Sequence, residues 1–159
     1  MTTSLSPSQQ EVCDAVSAAW SHHELFHLWS YTGYGRSTLL AELHRRLGGV
    51  LLTPLDFVAG QVGRDPAALE DTLFCIVRDA LNYSEHVFID DWHLLTDVMS
   101  GCSAYPRAGY LEAAGAAIAA LVSAGRRRLL IASDGGLPQS LRLRAFPYGF
   151  GELRIPDYV

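Results

Sequence analysis

Apolar residues recur along this chain in two rhythms, short unbroken runs and helical spacing, and the two alternate. Ser6-Pro7-Ser8-Gln9 offers a capping hydroxyl, a proline for the first helical position and a glutamine to close a capping box. Val12, Val16 and Trp20 then mark the apolar face of a first helix over residues 6–21. Leu25 to Trp29 is a short apolar run, predicted as a buried strand, and it ends in the glycine-containing segment Ser30 to Gly35. A second helix follows at once. Leu39, Leu40, Leu43 and Leu47 lie along one face of it, Arg45 and Arg46 suit its negative end, and Gly48-Gly49 stop it. Val50 to Leu52 reads as a second strand. After a loop of glycine and polar residues, Asp65-Pro66 caps a helix running to about Leu81 through Leu69, Leu73, Ile76 and Val77. His86 to Asp90 is a third strand, Leu94 to Ala108 an irregular connection, and Gly109 to Ala124 an alanine-rich helix closed by Gly125. Arg128 to Ser133 is a fourth strand, Pro138 to Ala145 a short helix, and Glu152 to Ile155 a fifth strand. Strands alternating with helices at this spacing predict an α/β fold with a parallel sheet covered on both faces.

Composition bounds this picture without redirecting it. A chain of 159 residues fits one compact domain, and 49% apolar with 18% charged residues are globular values. The net charge of −5 supplies no overall basic field for nucleic acid, so a nucleic-acid partner finds no support there. All 12 basic residues are arginine, and lysine is absent, so each arginine has to be weighed against a general replacement of lysine. Cys13, Cys75 and Cys102 match no metal or disulfide spacing, which favours a reducing compartment and hence the cytoplasm. The polar start MTTSLSPSQQ is unlike a signal peptide, and no apolar run approaches the ~20 residues that span a membrane.

The chemistry concentrates at the strand ends. A phosphate loop needs small residues that let backbone N–H groups wrap the phosphates, a helix whose positive end faces them, a cation, and a hydroxyl for magnesium. The stretch Ser30, Tyr31, Thr32, Gly33, Tyr34, Gly35, Arg36, Ser37 and Thr38 lies between a strand and a helix and supplies nearly all of this. Set against G-x-x-x-x-G-K-[ST], it keeps Gly35 and Ser37 but has Ser30 for glycine and Arg36 for lysine. An ordinary glycine turn is the competing reading. The third strand ends in Asp90-Asp91, where the first carboxylate suits magnesium and the second an attacking water; a solvated acidic turn is the plain alternative. The fourth strand ends in the polar pair Ser133-Asp134. In a parallel sheet with a topological switch point these ends converge on one crevice, which favours binding of ATP or ADP with Mg2+.

The stretches HLWSYTGYGRSTLL, TPLD, VFIDD and RLLIASDGGLP resemble the DnaA-type AAA+ proteins, including their Hda-type regulators, from about residue 26 to 157. That resemblance implies a three-layer P-loop NTPase core with strand order 5-1-4-3-2. It also implies Asp90 and Asp91 as a Walker B pair, Ser133 and Asp134 at sensor 1, and Arg144 as an arginine finger that acts in trans on a neighbouring subunit, with Arg142 as its rival. TGYGRSTLL, IDDWHLL and GELRIPDYV are also similar to the ATPase module of MalT-like STAND regulators, and Asp134 tips the balance slightly toward the DnaA side. Both families carry further domains after the fifth strand; here a single core over 1–159 without a lid is expected.

Arg36 sets the functional expectation. A guanidinium is larger and planar where a lysine ammonium is compact, so it can hold phosphate through two N–H groups while misplacing charge in the transition state. The resulting expectation is a regulatory or assembly domain that binds nucleotide, hydrolyses it slowly and associates with itself or a partner through the nucleotide-site interface. Alternatives stay open: an active oligomeric ATPase, a signalling module, or an interaction scaffold that binds no nucleotide.

Overall fold

The computed structural model describes residues 5–101 and 109–150. The chain builds one all-parallel sheet of β1 (Leu25–Trp29), β2 (Val50–Leu52), β3 (His86–Ile89), β4 (Arg128–Ser133) and β5 (Phe146–Gly149). The strand order is β2-β3-β4-β1-β5, which is the expected 5-1-4-3-2 counted from the other edge. Helices α1 (Pro7–Ala19) and α2 (Arg36–Leu47) cover one face. The other face carries α3 (Pro54–Gln61), α4 (Leu69–Tyr83), α5 (Trp92–Gly101), α6 (Tyr110–Gly125) and the single turn α7 (Gln139–Arg142).

Period-two alternation divides the sheet's side chains between two cores. Leu25, Val87, Ile89, Leu129 and Ile131 point toward α3–α7, while Phe26, Leu28, Phe88, Leu130 and Ala132 point toward α1 and α2. In the second core Trp20 stacks on Phe26 with ring centroids 4.7 Å apart and on Phe88 at 5.3 Å. The carbonyl of Trp20 accepts a hydrogen bond from Arg128 Nε, so this one residue ties the end of α1 to the start of β4.

The capping box at Ser6 and Gln9 forms as the sequence predicts, and α6 falls within a residue of its expected limits. Four expectations need correction. Residues 94–101 of the expected irregular connection belong to helix α5, because Trp92, Thr96 and Met99 are buried at helical spacing; the remainder of that connection lies outside the described residues. The segment after β2 is not plain loop: Thr53-Pro54-Leu55-Asp56 forms a second capping box, and Phe57 anchors α3 in the core. The fifth strand is Phe146–Gly149, while the span 152–155 expected for it lies outside the described residues. Pro147 is tolerated there because, among the described residues, β5 is an edge strand paired with β1 alone. The helix expected from Asp65 starts later, at Leu69, since the Asp65 carboxylate instead accepts from Ala67 N in a local turn.

No helix among the described residues is long and apolar enough to cross a membrane. Truncating the stacked ring in Trp20→Ala is expected to lower the unfolding free energy by about 3–5 kcal/mol. Urea denaturation checks this: the midpoint should fall with an unchanged slope.

Candidate functional site

The register of the sheet decides which residues meet. Trp29 lies opposite Ser133 and Ile89 opposite Ile131, so the segments leaving β1, β3 and β4 emerge side by side at one end of the sheet. Ser30 N extends the β1–β4 ladder to Ser133 O at 3.4 Å, and Asp90 N extends the β3–β2 ladder to Leu52 O at 2.9 Å. From that platform the chain turns through Gly33 (φ 91°) and Gly35 (φ 79°), two left-handed conformations that side chains disfavour. A side chain at Gly35 would also run into Gln9 Nε2. Alternating left-handed glycines just before a helix turn successive N–H groups toward one concavity, and α2 begins directly after them with its positive end facing it.

The concavity is a cavity of about 420 Å3 lined by Tyr31, Thr32, Gly33, Gly35, Arg36, Ser37, Asp91, His93 and Leu94. Of the other loop positions expected to bind nucleotide, Ser30 is buried beneath the turn, and Tyr34 and Thr38 fall outside the lining. Arg36 is only 6% exposed. Its Nη1 donates to Ser30 O at 2.6 Å and its Nη2 to Asp91 Oδ1 at 2.6 Å, while its buried Nε has no partner among the described residues. Asp90 lies beside Ser37, and its carboxyl is raised above its usual pKa chiefly by burial and only partly held down by the Ser37 hydroxyl. A desolvated carboxylate beside a hydroxyl is a donor pair that fits a small hard cation, which would relieve the cost of burying the charge.

Ser133 and Asp134 support the loop from below. Ser133 Oγ donates to Gly135 O at 2.5 Å and lies 3.3 Å from His27 Nε2. Asp134 Oδ2 accepts from Thr32 Oγ1 at 2.7 Å and lies 3.3 Å from His93 Nε2, while its carbonyl accepts from Trp29 Nε1 at 3.2 Å. The tip of the loop is thus tied to the end of β4. Arg144 is elsewhere. It lines a cavity with His22, His23 and Leu25 at the opposite end of β1, and both it and Arg142 are exposed. From there it faces away from its own chain's loop.

Sequence reasoning missed Gln9 and the two histidines. Gln9 Oε1 accepts from Ser6 N at 2.9 Å and its Nε2 donates to Tyr34 O at 3.1 Å, bracing the loop from α1. Its capping-box signature accounted for the first bond, and nothing in the pattern pointed to the second. His27 sits under the site with its pKa lowered to about 4 by burial, assisted by the charge of Arg36. The unfolded chain binds this proton near pH 6.5 and the folded chain only near 4, so stability falls as pH drops through that window. His27→Gln is expected to remove up to about 1.4 kcal/mol per pH unit of that acid slope. Urea unfolding between pH 7 and pH 5 provides the check, against the wild-type chain.

No protein-family model matches the chain, and no curated protein matches it by sequence. Its backbone is similar to solved structures. A replication initiator DnaA bound to AMPPCP and single-stranded DNA superposes with TM-score 0.58 at 15% identity, over 99% of this chain and 50% of that one. AMPPCP-bound DnaA from Aquifex aeolicus gives 0.50 at 16%, over 88% and 44%. The Pif1 helicase from Candida albicans gives 0.52 at 18%, over 96% and 40%. This chain therefore spans half or less of the length of the structures it matches. The likeness, together with the all-parallel sheet and its strand order, shows that the chain has the α/β fold of P-loop NTPases.

Proposed function

We propose that this chain is an ATP- or ADP-binding regulatory or assembly domain that hydrolyses nucleotide slowly. The observation that carries the reading is Arg36: a guanidinium at the positive end of α2 that lines a cavity beside the left-handed Gly33 and Gly35. A guanidinium on such a wall suits an anionic ligand, which it can meet through charge-assisted hydrogen bonds. The similar DnaA structures hold AMPPCP, which agrees with a triphosphate as that anion.

In this reading Tyr31 to Ser37 bind the phosphates through backbone N–H groups and Arg36, with Ser30 and Thr38 bounding the loop. Ser37 and Asp90 hold Mg2+, which would screen the phosphate charge. Asp134 keeps the loop tip against the end of β4 through Thr32, while Ser133 meets His27 of β1 beneath it. Slow turnover follows from the way Arg36 is tethered. Its Nη1 is fixed on Ser30 O, so the charge cannot follow a phosphoryl group as a lysine on a free stem can. Arg144, with Arg142 as its alternative, completes a neighbour's site in trans, and its position at the far end of the sheet suits a head-to-tail contact between subunits. We place the protein in the cytoplasm, consistent with the free thiols of Cys13 and Cys75, and take the core as a single functional unit.

Calorimetric titration with ATP and ADP, with and without Mg2+, tests the reading. Binding of both nucleotides, strengthened by Mg2+, is expected; no heat and no thermal shift would contradict it. Arg36→Lys is expected to raise steady-state turnover by about tenfold with affinity little changed. If neither turnover nor affinity moves, the account of Arg36 is wrong.

A further inference from the structure

Asp91 is an anion inside an anion site. Its carboxylate lines the same cavity as the phosphate loop, is 27% exposed, and takes Nη2 of the nearly buried Arg36 at 2.6 Å. The backbone holds it there. Asp91 adopts φ 49°, a left-handed conformation uncommon outside glycine, and it is pinned from both sides. Its N–H donates to Asp90 Oδ1 at 2.9 Å, and its carbonyl accepts from Leu94 N at 3.0 Å in the first turn of α5. The carboxylate thus offers Arg36 the charge and the planar oxygen acceptor that a phosphate would offer.

We infer that Asp91 is an internal competitor of phosphate: the Arg36–Asp91 ion pair has to break before Arg36 can bind a nucleotide, so Asp91 sets how tightly the site holds its ligand. The inference rests on the nucleotide reading above and deepens it. A donor already satisfied by a fixed carboxylate gains little when it exchanges that partner for a phosphate oxygen, so net affinity is the difference between the two contacts. Breaking the pair also releases the Asp91 carboxylate into the cavity, next to bound phosphate. The group expected to orient a water is therefore engaged until ligand arrives, and the backbone of Asp91 couples that exchange to the start of α5.

Asp91 could weaken nucleotide binding in a simpler way, by repelling phosphate directly, and the experiment has to separate the two. ADP is titrated calorimetrically in EDTA, which removes the Asp90–Ser37 cation site from the comparison. Four chains are used: wild type, Asp91→Asn, Arg36→Ala and the double variant, with ADP carried to millimolar concentration so that weak binding stays measurable. Asparagine suits the left-handed backbone and loses only the charge. Asp91→Gly, which also suits it, serves if the asparagine variant does not fold. Asp91→Asn is expected to tighten ADP about tenfold when Arg36 is present and less than about twofold when it is alanine, since a charge-assisted hydrogen bond is worth about a factor of ten or more. An equal gain in both backgrounds would mean plain repulsion and overturn the inference, as would no gain with Arg36 present. If no chain gives heat with ADP, the nucleotide reading falls and takes this inference with it; if wild type binds and Asp91→Asn gains nothing, only the inference falls.

Discussion

A guanidinium that is 6% exposed needs its charge and its N–H groups answered nearby, and the arrangement around Arg36 is organised by that requirement. Ser30 O answers from the end of β1 and Asp91 from the end of β3, so one side chain on the first turn of α2 links two strand ends across the sheet. Removing either acceptor would leave a buried charge short of a partner, which costs more than the contact itself contributes. The loop between β1 and α2 is shaped accordingly: Gly33 and Gly35 supply left-handed turns, Gln9 braces Tyr34 from one side and Asp134 holds Thr32 from the other.

The sheet provides the precision on which that linkage rests. Parallel strands whose alternate residues enter two separate cores cannot slip by one position without exchanging every buried side chain for one of the opposite face. Register therefore fixes how far Ser30, Asp90 and Ser133 stand from one another. Trp20 secures the α1 side of this assembly by stacking on Phe26 and Phe88, and α1 in turn positions Gln9 against Tyr34 of the glycine loop. Packing at one end of the molecule thus sets polar geometry at the other.

Much of this was legible in the sequence, for identifiable reasons. β1, β2 and β4 have their predicted limits because continuous apolar runs bounded by glycine or polar residues describe strands buried on both faces. The glycine turn between β1 and α2 and the acidic turn at Asp90-Asp91 were legible because glycine marks left-handed backbone and the carboxylates mark a strand end. Helix α5 was not, since its buried Trp92, Thr96 and Met99 begin directly behind the acidic pair with only Asp91's left-handed turn between β3 and the helix. The strand Phe146–Gly149 was not legible because Pro147 argues against a strand until its edge position is known. Contacts that join distant segments, such as Gln9 to Tyr34 and Arg36 to Asp91, leave no periodic trace at all.

Two of the guanidinium's three donor groups are committed within the chain, and the central claim is that nucleotide phosphate takes over the one now on Asp91 while Ser30 O keeps the other. A crystal structure of the chain grown with ADP and Mg2+ tests this most directly. The account predicts ADP phosphates in the loop from Tyr31 to Ser37, Mg2+ on Ser37 and Asp90, and Arg36 Nη2 on a phosphate oxygen with the Asp91 carboxylate turned away. ADP bound elsewhere, or bound in the loop with the Arg36–Asp91 pair unbroken, would contradict it.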